Sequence, residues 1–452
     1  MKKLLIILLL ISLMGNIYPV LNVVAIVGMF LSYVVWNRDR KPLDPEASPT
    51  KALWFLKLAY VYWFSSYILS GAPLGNLFSF DFIRRDGALF VAYLPLLLFG
   101  DLALGSRFVR RGLTLFLTCM ALVATLGVLE FEDNVGVSVG LANLPDSLQF
   151  VHYAALSDFG FHGLFEAHNS AGAVYGLAAC LALALLVYSP SANVFSARTF
   201  WFVTCFTGLT LSKSRTAYIA FVGTFALVFL TSKKHYRKVS KVAVFVLIPL
   251  IYFWLSQPQV THRAAAISSL DDPNVIGRFE HFSEALYDIN ISPVVGIGFG
   301  RFNDESKKFS GIPHLLYFAT GGDVVNDSSH AHNSYLHFLA EGGIVGLTLM
   351  LGVWISLLRW VRKIQGRFAE TTFSYAFANG IQACIVFEFL ISFTEHSMGT
   401  AVSSLLVLTM VGLLRNLITD QNDAIADVHM TSTKSRDLDR FGESATLGFR
   451  PA

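Results

Sequence analysis

The chain has 452 residues, of which 54% are hydrophobic and only 14% charged, and its formal net charge is +3. Mean hydropathy is +0.55. A soluble chain of this size needs more charge to cover its surface, so the composition excludes an ordinary soluble enzyme. No basic face alternates with aromatics in a polar segment, which excludes a nucleic-acid-binding module.

Apolar runs of nearly bilayer-crossing length recur along the chain. They fall at about 4–15, 17–36, 52–70, 88–104, 113–129, 168–188, 198–212, 216–232, 242–257, 343–361, 372–393 and 397–417. The expected fold class is therefore all-α: a polytopic membrane helix bundle of about twelve transmembrane helices. The start, Met1-Lys2-Lys3 followed by an apolar run, imitates a signal peptide but lacks a small-x-small cleavage site. It reads as an uncleaved first helix.

Lys and Arg placement gives the orientation. With the N-terminus in the cytoplasm, four basic loops fall on the cytoplasmic side. They carry Arg38, Arg40, Lys41 and Lys51; Arg107, Arg110 and Arg111; Lys233, Lys234, Arg237, Lys238 and Lys241; and Arg359, Arg362, Lys363 and Arg367. The opposite loops are acidic: residues 130–167 hold six carboxylates and no Lys or Arg, and 258–331 hold more acids than bases. Four divisions follow: helices one to nine over 1–257, a long outer loop over 258–342 between helices nine and ten, helices ten to twelve over 343–418, and a polar cytoplasmic tail over 419–452 that reads as disordered. No repeat of fixed period is present. Cys119, Cys180, Cys205 and Cys384 all lie inside apolar runs without ligand spacing and read as packing residues.

Polar chemistry collects at the outer side. Arg215, in Ser212-Lys213-Ser214-Arg215-Thr216, stands at the outer mouth of a helix hairpin. It is either a snorkelling interface charge or a clamp for an anionic headgroup. Arg278 follows Gly277 on a segment whose Phe279, Phe282 and Leu286 spacing suggests a short amphipathic helix lying on the membrane. Its bland reading is an ion pair with Glu280 or Glu284. The Gly296-Ile297-Gly298-Phe299-Gly300 run reads as a turn that lets backbones pack closely, not as a nucleotide loop. His330-Ala331-His332-Asn333 opens a helix running into the tenth span. Two histidines two apart do not share a helical face, so metal binding of the zinc-protease kind is unsupported and no metal or other cofactor is expected. An imidazole is the usual general base for a hydroxyl near neutral pH, which makes His332 the candidate base. Asn333, His337 and Glu341 form one polar row at four-residue spacing. His168 and Asn169 begin the sixth span and read as caps or as substrate contacts.

Ser214-Arg215-Thr216, Gly277-Arg278, the glycine run 293–300 and His332-Asn333-Ser334-Tyr335-Leu336 with Glu341-Gly342-Gly343 together resemble the O-antigen ligase and polymerase superfamily, over roughly 165–415. One departure is Phe282, at a position that is often Trp there. The resemblance implies a metal-independent, inverting glycosyltransferase of the bacterial inner membrane with a periplasmic active site. Its donor is a glycan on undecaprenyl diphosphate, and its acceptor is lipid A–core or another glycan. It implies Arg215, Arg278 and His332 as the catalytic set, with Asn333, Asn169, Glu341 and His330 expected to bind substrate. A polymerase of the same superfamily and a protein O-oligosaccharyltransferase are the alternatives. A lipid-linked sugar transporter fits less well, because the spans are nearly free of midplane charge.

Overall fold

The computed structural model describes residues 48–71, 105–133, 168–188, 196–229, 273–302, 330–398 and 403–418, with single positions at 92, 93, 96, 165, 239, 242 and 305. Their regular structure is helical, with no strand among the described residues. The helices are α1 (Thr50–Leu69), α2 (Ser106–Asp133), α3 (His168–Val187), α4 (Ala197–Leu211), α5 (Arg215–Thr224, continued by a π turn Phe225–Phe229), α6 (Pro273–Ile291), α7 (Ser334–Gln365), α8 (Phe373–Ile391) and α9 (Ser403–Ile418). Among the described residues five helices, α1, α2, α3, α7 and α8, are long and apolar enough to cross a membrane. The expected runs at 4–15 and 17–36 lie outside the described residues, as do all but single positions of those at 88–104 and 242–257.

The bundle centres on α3, whose residues are buried along almost its whole length. It is built from small residues, and α4, α5 and α8 pack on it. Without a water-driven force between helices in lipid, close approach of backbones has to supply the packing. The Phe387 ring of α8 lies directly over Gly176, and Tyr175 lies against Gly208 of α4. Gly380 of α8 faces Leu181 and Ala184, so α3 and α8 run antiparallel and the start of α3 lies beside the end of α8. The four cysteines are free and buried or half-buried in this packing.

The second feature that positions polar chemistry is a break in α7. At Gly343 the backbone leaves the helical region (φ 59, ψ −167), dividing a short polar turn of helix from the long apolar remainder. The glycine run is threaded into this break. Ile297 and Gly298 donate backbone N–H groups to the carbonyls of Ala340 (3.0 Å) and Glu341 (3.1 Å), while Ile344 donates to Pro293 (2.9 Å). A Cβ on Gly296 would stand 2.2 Å from the Glu341 carbonyl oxygen, and one on Gly343 would stand 2.2 Å from that of Val294. Both glycines also hold positive φ, which only glycine adopts without strain. The glycine run is thus the close-packing turn that its composition suggests. Tyr62 of α1 closes the joint, its hydroxyl lying 2.9 Å from the Val295 carbonyl and 2.8 Å from that of Gly342.

Candidate active site

The polar turn of α7 is capped by Asn333, whose side-chain oxygen accepts from the N–H groups of Tyr335 (2.9 Å) and Leu336 (3.0 Å). Its amide nitrogen donates to the Phe393 carbonyl at 2.9 Å. Ser334 extends the same seam. Its N–H donates to Ser392 (2.9 Å), its hydroxyl donates to the Glu395 carbonyl (3.2 Å), and that hydroxyl accepts from Met398 N–H (3.2 Å). The helix start at 333–334 and the loop 392–398, which follows α8, are therefore one unit. Asn333 is held by backbone on both sides, a capping geometry that fixes the neighbouring His332.

His332 has φ 48, in the left-handed region, an uncommon conformation for a residue with a Cβ. Glu395 of the loop reaches both expected catalytic side chains of this region. Its Oε1 accepts from Arg278 Nη2 at 3.1 Å, and its Oε2 lies 3.7 Å from His332 Nδ1. The bland partner for Arg278, Glu280 or Glu284, is replaced by Glu395 as its ion pair, a residue 117 positions away in the sequence. Glu284 lies instead 3.2 Å from His281 Nδ1 on its own helix. The site is open to solvent on one side, the side chains of Arg278 and His332 being 37% and 33% exposed and that of Glu395 14%.

Behind this triad stands a floor of histidines. His332 stacks on His281 (ring centres 5.2 Å) and meets His330 edge-on (4.4 Å); His330 stacks on His396 (5.6 Å), which meets His337 (4.0 Å). His337 Nε2 lies 3.4 Å from Glu341 Oε2, so the expected i, i+4 row survives as a buried pair. Glu341 Oε1 also accepts from the Phe302 N–H at 3.2 Å. Burial lowers the pKa of His330 to about 3, with the charges of His332, His337 and His281 pushing the same way. His396 is also lowered, first by burial and then by the neighbouring histidines. The His330 and His396 rings are consequently neutral near pH 7. Asp288, on the face of α6 that meets α7, is raised to about 7 by burial and then by Glu305, Glu284 and Glu341, with His337 opposing. Among the described residues no group of three or more His, Cys, Asp or Glu is arranged to hold a metal ion.

Arg215 and Asn169 occupy a neighbouring corner. Gly172, one turn into α3, lies so close to the turn between α4 and α5 that a Cβ there would stand 2.6 Å from Ser214 Cβ and 2.9 Å from Ser212 Oγ. The tight turn includes Lys213 at φ 52. Because α3 begins where α8 ends, this corner and the 392–398 loop share one end of the bundle. Arg278, His332, His330 and Glu341 thus converge on a continuous cluster, and Arg215 with His168 and Asn169 stands at the same end of the molecule.

Residues 200–351 match the family described as O-antigen ligase. The match supports the O-antigen ligase superfamily. This region of O-antigen ligase similarity contains Arg215, Arg278, His330, His332, Asn333 and Glu341, and stops short of Asn169, Glu395 and His396. No curated protein matches the chain. Glu395 and His396 are the site residues that sequence reasoning misses. A signal for them exists: Thr394-Glu395-His396-Ser397 interrupts two apolar runs, and the charge alternation puts that interruption on the same side as Arg278 and His332.

Proposed function

We propose that the chain is a membrane glycosyltransferase of the O-antigen ligase type, moving a glycan from undecaprenyl diphosphate to an acceptor hydroxyl such as one on lipid A–core. The observation that carries this reading is the shared Glu395 carboxylate, which holds Arg278 and His332 side by side inside and beside the family-matched region. The work is divided as follows. Arg278 offers a planar fork of donors to the diphosphate, and Arg215 adds a second positive charge from the neighbouring corner. His332 presents Nε2 to the acceptor, because Nδ1 faces Glu395. The acceptor oxygen attacks the anomeric carbon while its proton passes to His332 Nε2. The bond from that carbon to the diphosphate oxygen breaks, and the leaving charge is stabilised by the arginines. Attack opposite the leaving group inverts the anomeric centre. The site faces the periplasm in this reading, where the lipid-linked donor is presented.

The test uses purified full-length protein in nanodiscs with lipid-linked glycan and acceptor. His332→Ala should bind donor and fail to transfer it; full transfer by that variant overturns the assignment. A deletion strain then separates the acceptors. Loss of long-chain lipopolysaccharide with retained lipid-linked polymer identifies a ligase, and a single-repeat ladder identifies a polymerase.

A further inference from the structure

Helix α6 is amphipathic the wrong way round for water. The face it turns to α7 carries Glu284 and Asp288, each 1% exposed, around Ala285. The opposite face carries Phe279, Leu286 and Tyr287, all exposed, and Ile291 is exposed at its end. Among the described side chains the polar groups on that outer face are Ser283 and Asn290, and the sequence places Glu280 at its edge, seven residues before Tyr287. The Ser283 hydroxyl donates back to the Phe279 carbonyl at 2.8 Å, which removes its need for water, and Asn290 lies in the last turn. An exposed apolar stripe of this kind marks an interaction surface.

The stripe does not end with the helix. Val294 and Val295 continue it, both exposed, and Val294 accepts a backbone hydrogen bond from Val345, next to exposed Ile344. Ile344 begins the apolar part of α7, whose outward positions include exposed Ile355. The same turn is tied to α1 through Tyr62 and through the Phe299 N–H, which donates to Ser66 Oγ at 3.3 Å. The outward face of α1 is apolar too, with Val61, Phe64 and Ile68 exposed. The α6 stripe therefore runs, past half-buried Ser292, through exposed Val294, Val295 and Ile344 to the outward apolar surfaces of two helices long enough to cross a membrane.

We infer that the outer face of α6 is immersed in the acyl chains of the bilayer leaflet at this end of the bundle, so that the helix bearing Arg278 is anchored by phospholipid. An interfacial helix buries its apolar face just below the headgroups, which leaves the flank bearing Arg278 at headgroup depth. The inference does not rest on the transferase reading.

The test places a photoreactive benzophenone amino acid at 279, 286 or 291 of the full chain. Each variant is reconstituted in phospholipid nanodiscs free of polyisoprenoid lipid, illuminated and weighed by intact mass. Position 355 is the lipid reference, and exposed Ala369, in the turn after α7, is the water reference. The expected result is a mass increase of one phospholipid at 279 and 286, as at 355, and none at 369. No adduct at 279 and 286 while 355 reacts would place α6 in water and overturn the inference. Crosslinks to a second copy of the chain, or adducts that form only after a polyprenyl lipid is added, would assign the stripe to those occupants and overturn it equally. These positions are exposed, so the larger ring displaces no core, and three independent sites guard against one variant that misfolds.

Discussion

Replacing Glu395 by Gln removes a charge without removing a shape, and it tests the geometry on which the proposed chemistry depends. The carboxylate makes two unequal interactions. With Arg278 it forms a charge-assisted hydrogen bond at 3.1 Å, but the arginine is 37% exposed, so screening limits the pair to roughly 1 kcal/mol of stability. With His332 it stands at 3.7 Å, longer than a hydrogen bond, so in the resting state it orients the ring electrostatically. A carboxylate that holds a catalytic imidazole in a tight hydrogen bond is worth about 10⁴-fold in rate. The looser distance here predicts a smaller loss, about 10- to 100-fold in kcat, which is about 1.4–2.8 kcal/mol in the barrier. The assay is transfer from purified lipid-linked donor in nanodiscs, with kcat and KM for the acceptor measured separately and folding followed by thermal midpoint. Glu395→Gln should fold, keep its acceptor KM and lose kcat, and Glu395→Asp should recover part of the loss. Unchanged kcat and kcat/KM in Glu395→Gln would refute the positioning role. Tighter donor binding at an unchanged rate would show that Glu395 competes with the diphosphate instead of serving it.

Because Asn tolerates left-handed backbone, His332→Asn should keep its thermal midpoint within about 2 °C while losing transfer, as read by melting and turnover on one preparation. Gly296→Ala and Gly343→Ala each drive a Cβ into a carbonyl oxygen and force positive φ, so each should cost on the order of 3 kcal/mol or more and abolish folded protein on size exclusion. Gly366→Ala, where the nearest atom is 3.6 Å away, should be tolerated. Asp288 has its pKa raised from 3.8 to about 7, so the folded state holds its proton more tightly than the unfolded chain. Its stability contribution is therefore intact below pH 4 and is lost as pH rises towards 7. Asp288→Asn should stabilise the fold at pH 8 by on the order of 1–3 kcal/mol, read as a higher melting midpoint, and change little at pH 4; the opposite pH order would contradict the burial argument.

The helices of this protein were legible because lipid imposes a length and a composition on any segment that crosses it. The runs at 52–70, 168–188 and 372–393 coincide within a few residues with α1, α3 and α8. The role of the 296–300 glycines was legible as close packing, since a Gly-rich run without a strand-loop-helix setting leaves little else. The partner of Arg278 was not. Neighbours at two and six residues along the helix were the natural candidates, yet Glu284 faces His281 and α7, and the ion pair goes to a loop beyond α8. Nor does local pattern show that α7 breaks at Gly343, because the break exists only where the 293–298 segment supplies the hydrogen bonds.

By itself, the sequence determined that this is a helical membrane protein, which residues carry titratable chemistry at the helix ends, and that Arg278 and His332 belong to one polar segment. Those are properties of spacing and composition, which short-range sterics and the bilayer read directly. Only the tertiary structure decided that Glu395 and His396 join them and that the histidine rings stack into a floor. It also buried Glu284 and Asp288 of α6 against α7 and left Phe282 half-buried, while Phe279 and Leu286 face outward as their spacing suggests. Each of those depends on contacts between segments tens to more than a hundred residues apart, where the partner is chosen by the packing of whole helices and not by the pattern along any one of them.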